Sequence, residues 1–147
     1  MESYLHEHIP LSLAMKARVV EATPEGVTLA APLEPNLNHR ETAFGGSVAA
    51  LAILAGWTLM HVLLRDAGIP AHTVIQTSEI RYLAPIEAPF EARARPPAST
   101  GWRRYLAALE RRGRARVRLQ VDVRSGGALV ATLEGAYVSF ARTRGGG

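Results

Sequence analysis

The residues best suited to chemistry lie in one stretch, Pro35-Asn36-Leu37-Asn38-His39-Arg40-Glu41-Thr42-Ala43-Phe44-Gly45-Gly46-Ser47. Its glycine pair opens onto a long apolar run, residues 48–64, in which Thr58 and His61 are the polar members. Glycines at a helix entrance allow a ligand close to the backbone, and the first N–H groups of a helix have no intrahelical acceptor. With the helix dipole behind them, the amides of residues 45–48 can hold a carbonyl oxygen and the oxyanion it becomes when attacked. The same pair, without a ligand, simply lets the loop pack tightly against a sheet. Local spacing leaves both readings open.

Other side chains can contribute to such a site. Asn38 can position a substrate or a water, and His39 beside it can act as a base near neutral pH, although a lone loop histidine is more often exposed. Glu41 precedes the helix and can activate water if it points inward; a solvated loop acid is the commoner outcome. Gln76 and Ser78 share a strand face with Val74, Ile80 and Tyr82, where two polar groups in an apolar row need partners. Those partners are either an attacked carbonyl and its water or the helix-entry loop. His61 lies about four turns from Gly45 at ~1.5 Å per residue, too far to share its chemistry. His6 and His8 have ligand-like spacing, but no further ligands join them. The chain has no cysteine, which excludes disulfides, thiolate metal sites and a cysteine nucleophile.

These groups must be positioned by a small set of elements. The 147 residues suit one domain, with a core over about 11–140 and a flexible tail at 141–147 ending in three glycines. Hydrophobic residues make up 48%, enough for a packed core and too many for a disordered chain. Residues 15–19 and 27–31 read as a hairpin about Thr23-Pro24-Glu25-Gly26. A loop over residues 32–46 leads into the long helix, which stops near Gly68 and Pro70. Residues 72–83, 90–95, 115–123 and 129–140 alternate as strands. Residues 102–111 fit either a short helix or a strand. The helix run falls just short of the ~20 residues needed to span a bilayer, and amphipathic strands surround it, so it reads as a buried central helix. The order implies an α+β architecture, one antiparallel sheet around one helix, with an edge that a second copy can cover.

The formal charge is +4, which favours anionic partners. Arg103, Arg104, Arg111, Arg112, Arg114, Arg116 and Arg118 form the main basic cluster, suited to phosphates or to plain solvation. Aromatics are 6%, too few for a nucleic-acid stacking platform. The N-terminal segment lacks the basic-then-apolar pattern of a secretion signal, so the expected location is the cytoplasm.

The segment from Asn38 through Gly45-Gly46 to Trp57, with Glu79-Ile80-Arg81-Tyr82-Leu83-Ala84-Pro85 downstream, resembles the acyl-CoA thioesterases of the hotdog superfamily. Thr42-Ala43-Phe44-Gly45-Gly46-Ser47 with Leu54-Ala55-Gly56-Trp57 is most similar to a thioesterase branch sometimes fused to bacterial acetyltransferase domains. The resemblance covers roughly residues 11–140. It implies a hotdog fold, an acyl-CoA or acyl-carrier substrate, no cofactor beyond the coenzyme A of that substrate, and a homodimer or homotetramer. It matches Asn38 by position to the family's asparagine; together with the residues read above, the candidate catalytic groups are Asn38, Gly46, Ser47, Gln76 and Ser78, with His39, Glu41, Thr42, Phe44 and Gly45 as candidate substrate-binding residues. The chain departs from the pattern at two places. Phe44 stands where a histidine usually precedes the glycines, and Ile53 stands where an acid follows on the helix. A non-catalytic acyl-thioester or lipid-binding module is the alternative that these departures favour.

Overall fold

The structure is a computed structural model that describes residues 1–142. Two short helices, α1 (Glu2–His8) and α2 (Pro10–Ala14), precede the hairpin of β1 (Arg18–Thr23) and β2 (Gly26–Ala31). A single 3-10 turn, Glu34–Asn36, leads to α3 (Gly45–Asp66). Then follow β3 (Ala71–Tyr82), β4 (Phe90–Ala94), α4 (Ser99–Arg112), β5 (Arg114–Ser125) and β6 (Ala128–Ala141). The strands form one antiparallel sheet in the order β1-β2-β4-β5-β6-β3. The sheet wraps around α3, which packs against all six strands. This is the expected α+β hotdog fold.

The length and apolar character of α3 would suffice for a membrane crossing, but here they serve the core. Leu51, Ala52, Ala55, Leu59 and Met60 are fully buried among Leu29, Phe90, Val121 and Tyr137. Thr58, the buried polar residue of the helix, donates its hydroxyl to the Leu54 carbonyl at 2.7 Å, so no polar group is stranded. Gly56 is required by packing. A Cβ there would collide with the hydroxyl and ring of Tyr137, which reaches across from β6 to donate to the Ile53 carbonyl at 2.7 Å.

Several expectations need correction. The segment before residue 11 also contributes to the core, since Leu5 is buried with Met15 and Ala17. Met15 caps α2 rather than starting the first strand, and Lys16 turns the chain with φ 56°. Of the supposed tail, Ala141 ends β6 and the Arg142 N–H donates to the Pro70 carbonyl at 3.0 Å; residues 143–147 lie outside the described residues. The ambiguous segment 102–111 is helical. Tyr105 and Leu109 of α4 are buried on one face, and the helix ends in a left-handed Gly113 (φ 71°).

The faces of β3 also change. Its pairing with β6 slips between Ile75 and Thr77, a β-bulge at Gln76. Ala71, Thr73 and Ile75 are half-buried before it, Ile80 after it. The inward-facing positions are therefore odd-numbered before the bulge and even-numbered after it. Val74 does not share a buried face with Ile80. Gln76 and Ser78 are exposed, so they are not polar interruptions of a buried row.

Candidate active site

The site grows from the way α3 begins. Its N-cap is Phe44, in extended conformation, with no side-chain capping bond. Serine, threonine, asparagine or aspartate at that position would place its own oxygen on the second or third amide of the helix. Phenylalanine cannot. The Phe44 carbonyl takes the N–H groups of Ser47 (2.9 Å) and Val48 (3.1 Å). Among the described residues this leaves Gly45 and Gly46 as the amides without an acceptor. The expected oxyanion donors thus shrink from the amides of residues 45–48 to two, because the Ser47 and Val48 amides are already used.

Gly46 borders a groove of about 270 Å³ lined by Leu11, Met15, Asn36, Phe44, Ser47 and Ala50, among others. One wall is α2, the other the first turns of α3. The lining is mainly apolar, and Leu11 and Phe44 remain more than half exposed. The Phe44 ring lies over Gly46 so closely that a Cβ there would sit 2.5 Å from it. Only glycine at 46 leaves this ring its place beside an open amide.

The first turn is held from two sides. Tyr82, at the end of β3, donates its hydroxyl to the Gly45 carbonyl at 2.7 Å. Burial pushes this phenol above its ordinary value, so it stays a donor throughout the neutral range. On the other side, the Phe44 N–H donates to the Asn36 carbonyl at 2.7 Å and the Ala43 N–H to the Ile86 carbonyl at 2.8 Å. Asn36 is 2% exposed, and its Nδ2 donates to the carbonyls of Met15 (3.0 Å) and Pro32 (2.8 Å). Among the described residues its Oδ1 has no hydrogen-bond donor, and the residue lines the groove.

The sequence-derived candidates fall into three groups. Phe44, Gly46 and Ser47 are brought together at the groove, and Gly45 lies beside them against Tyr82. Asn38 and Thr42 build the loop instead. Asn38 Oδ1 accepts from the Arg40 (2.8 Å) and Thr42 (3.2 Å) amides, and its Nδ2 donates to the Thr42 hydroxyl at 2.7 Å. With both ends of its amide committed, Asn38 holds the turn rather than a substrate. His39 and Glu41 are exposed on that turn, Glu41 in the left-handed region with φ 63°. Gln76 and Ser78 stand on β3, which is an edge of the sheet, and do not line the groove. The residues that sequence reasoning missed are Asn36 and Tyr82. Both lay inside quoted motifs, but their roles depend on long-range contacts that spacing does not reveal.

The remaining candidates serve structure. A ring nitrogen of His6 bonds the Ala17 carbonyl (2.7 Å), and one of His8 the Tyr4 carbonyl (3.0 Å). Among the described residues no cluster of three or more metal-type ligands forms. The seven arginines of the basic cluster are all exposed, and Arg118 pairs with Glu134 at 3.1 Å.

Comparison with known proteins agrees with the fold. Residues 1–141 match the family described as "Putative thioesterase (yiiD_Cterm)". The fold is similar to a crystal structure described as a putative thioesterase from Shewanella oneidensis, at 31% identity, covering 95% of this chain and 94% of that one, with a TM-score of 0.85. A protein of unknown function from Chlorobaculum tepidum superposes with a TM-score of 0.89 at 24% identity, covering 96% and 92%. A mutant of the phenylacetic acid degradation protein PaaI from Thermus thermophilus gives 0.63 at 26% identity, covering 90% and 99%. By the family match over nearly its whole length, the chain belongs to this thioesterase family of hotdog proteins.

Proposed function

We propose that the protein hydrolyses an acyl thioester, carried by coenzyme A or an acyl-carrier protein, at the entrance of α3. The single observation that carries this reading is the pair of unpartnered amides, Gly45 and Gly46, at the positive end of a 22-residue helix, where Gly46 lines an apolar groove. The thioester carbonyl oxygen sits on these amides and the acyl chain lies along Leu11, Met15 and Ala50. A water attacks the carbonyl carbon, the charge develops on the oxygen held by the amides, and collapse breaks the C–S bond. The water proton leaves with the thiolate. Asn36 Oδ1 is the acceptor available to orient that water.

Among the described residues no Asp, Glu or His lines the groove. An oxyanion donor contributes about 10²–10³ in rate and a positioned base a further 10²–10⁴. Turnover by this chain's own groove residues therefore rests on the first contribution. The reading is tested by thiol release from a panel of short- to long-chain acyl-CoAs at high enzyme concentration. The absence of cysteine makes a thiol-reactive dye report substrate cleavage without background from the protein. No release from any acyl-CoA would sink it.

The missing base favours a second reading, a module that binds acyl thioesters without cleaving them. Calorimetric binding of a non-hydrolysable acyl-CoA, with no turnover of the cleavable one, would select it.

The assembly proposed for either reading is a homodimer through β3. This twelve-residue strand pairs with β6 on one side, and its other side offers a row of unpaired backbone donors and acceptors. It contains neither lysine nor proline, the usual guards of an edge. Exposed Val74, Tyr82 and Leu83 lie along or beside it. A second copy laid antiparallel satisfies that row. Sedimentation showing a monomer at micromolar concentration would exclude it.

A further inference from the structure

At the opposite end of α3 lies a second cavity, about 450 Å³, whose lining includes Tyr4, Trp57, His61, Arg65, His72 and Arg142. It is about 24 Å along the helix from Gly45, taking ~1.5 Å per residue. No carboxylate lines it among the described residues. Neither Arg65 nor Arg142 has a carboxylate partner there, although the chain forms ion pairs elsewhere. Arg65 makes no side-chain hydrogen bond among the described residues. Arg142 is positioned by its backbone N–H on the Pro70 carbonyl (3.0 Å) and by its guanidinium, which donates to His72 Nδ1 at 3.1 Å. That bond makes His72 Nδ1 an acceptor, so the ring proton lies on Nε2 as a further donor.

The third side of the cavity is a ladder of rings. His8 stacks on Tyr4 (4.1 Å between centroids), Tyr4 on His61 (4.9 Å) and His61 on Trp57 (5.2 Å). The Trp57 indole is fixed in turn by donating to the Thr73 carbonyl at 2.9 Å. Burial, and then the positive charges of Arg65 and Arg142, hold His61 below its ordinary value. The field in the cavity is therefore positive. The C-terminal end of α3 opposes it with about half a negative charge, against two full guanidinium charges. The guanidiniums win.

We propose that this cavity binds a phosphate-bearing anion. Two guanidiniums without a carboxylate partner match phosphate oxygens in the bidentate manner that lysine cannot, and a histidine N–H adds to them. The rings supply a rigid wall with little side-chain entropy left to lose. The proposal is independent of thioester cleavage at Gly45-Gly46, because the two sites share no residue.

The test is isothermal titration calorimetry of the full chain at low salt with adenosine 3′,5′-bisphosphate, 5′-AMP and inorganic phosphate. At least one of these should bind, with affinity that falls as salt rises. Arg65→Gln and Arg142→Gln should each weaken it by about ten-fold or more. The double variant Arg103→Gln/Arg104→Gln, on α4, should leave it unchanged. Thermal melts check that the variants fold. Marked preference for the bisphosphate identifies the ligand as the nucleotide end of coenzyme A; equal binding of all three identifies a free phosphate. No binding of any probe at millimolar concentration overturns the proposal. So does binding that ignores both Arg65→Gln and Arg142→Gln, or that disappears with the α4 variant.

Discussion

Tyr82 and Gly45 are joined by a hydrogen bond of 2.7 Å from the tyrosine hydroxyl to the glycine carbonyl, which ties the end of the sheet's edge strand to the first residue of the central helix. The bond fixes the plane of the peptide that follows Gly45, and the N–H of that peptide is the Gly46 amide. An edge strand that moves therefore moves the proposed oxyanion site. Tyr82→Phe removes the tether while keeping the ring. It should cost about 1 kcal/mol of stability by urea denaturation. Hydrolysis should lose several-fold in kcat with KM little changed, since the amide is needed more in the transition state than in the ground state. An equal rise in KM with kcat unaltered would assign Tyr82 to substrate binding instead.

Gly56 and Tyr137 form the corresponding contact deeper in the core. The tyrosine ring occupies the space a Cβ at position 56 would need, and its hydroxyl caps the Ile53 carbonyl one turn earlier. Burial pushes the Tyr137 phenol well above its ordinary value, so it remains a donor at any pH the fold experiences. Gly56→Ala must displace this ring and should destabilise the protein by about 1–3 kcal/mol. Tyr137→Phe should cost about 1 kcal/mol. The double variant should depart from additivity, because both changes act on one contact. Additive losses would mean that the ring relaxes freely.

Much of this was legible in the residues. The glycine pair and the apolar run located α3, and alternation located β5 and β6, because each pattern reports a local geometry that burial enforces. The failures have physical causes. The bulge at Gln76 reverses the faces of β3, and no residue type there announces it, so Val74 was grouped with Ile80. Asn38 fits a substrate-positioning role by motif, yet its amide closes its own turn, a local competition that spacing cannot decide. Asn36 stands two residues earlier and is the asparagine that reaches the groove. The short helices α1 and α2 went unseen because five to seven residues carry too little periodicity, although α2 supplies a wall of the site.

Glu41 offers a test that separates strain from catalysis. It adopts φ 63° on an exposed turn, a conformation that costs a side-chain-bearing residue about 1 kcal/mol and that asparagine accepts more readily. Glu41→Asn should raise stability by up to about 1 kcal/mol and leave thioester hydrolysis unchanged. A large fall in kcat would instead make Glu41 the missing base, reaching the groove by a motion of the loop.

His61 makes the stability of the fold depend on pH in a definite direction. Burial, Arg65 and Arg142 lower its affinity for a proton in the folded state, below the ordinary 6.5 of the unfolded chain. Well above that value the ring is neutral in both states and costs nothing. As the pH falls below it, the unfolded chain takes up a proton that the folded chain resists, so stability declines until the folded ring also titrates. Tyr4 and Trp57 stack on the ring without adding charge, and no carboxylate lines the cavity among the described residues to offset the arginines. The wild-type protein should therefore be less stable in urea near about pH 5 than near about pH 7.5. His61→Gln, which cannot titrate, should show a smaller loss over the same interval. Equal losses in the two proteins would mean that His61 carries a proton as readily folded as unfolded, and that the cavity at the end of α3 is not the positively charged place its arginines make it.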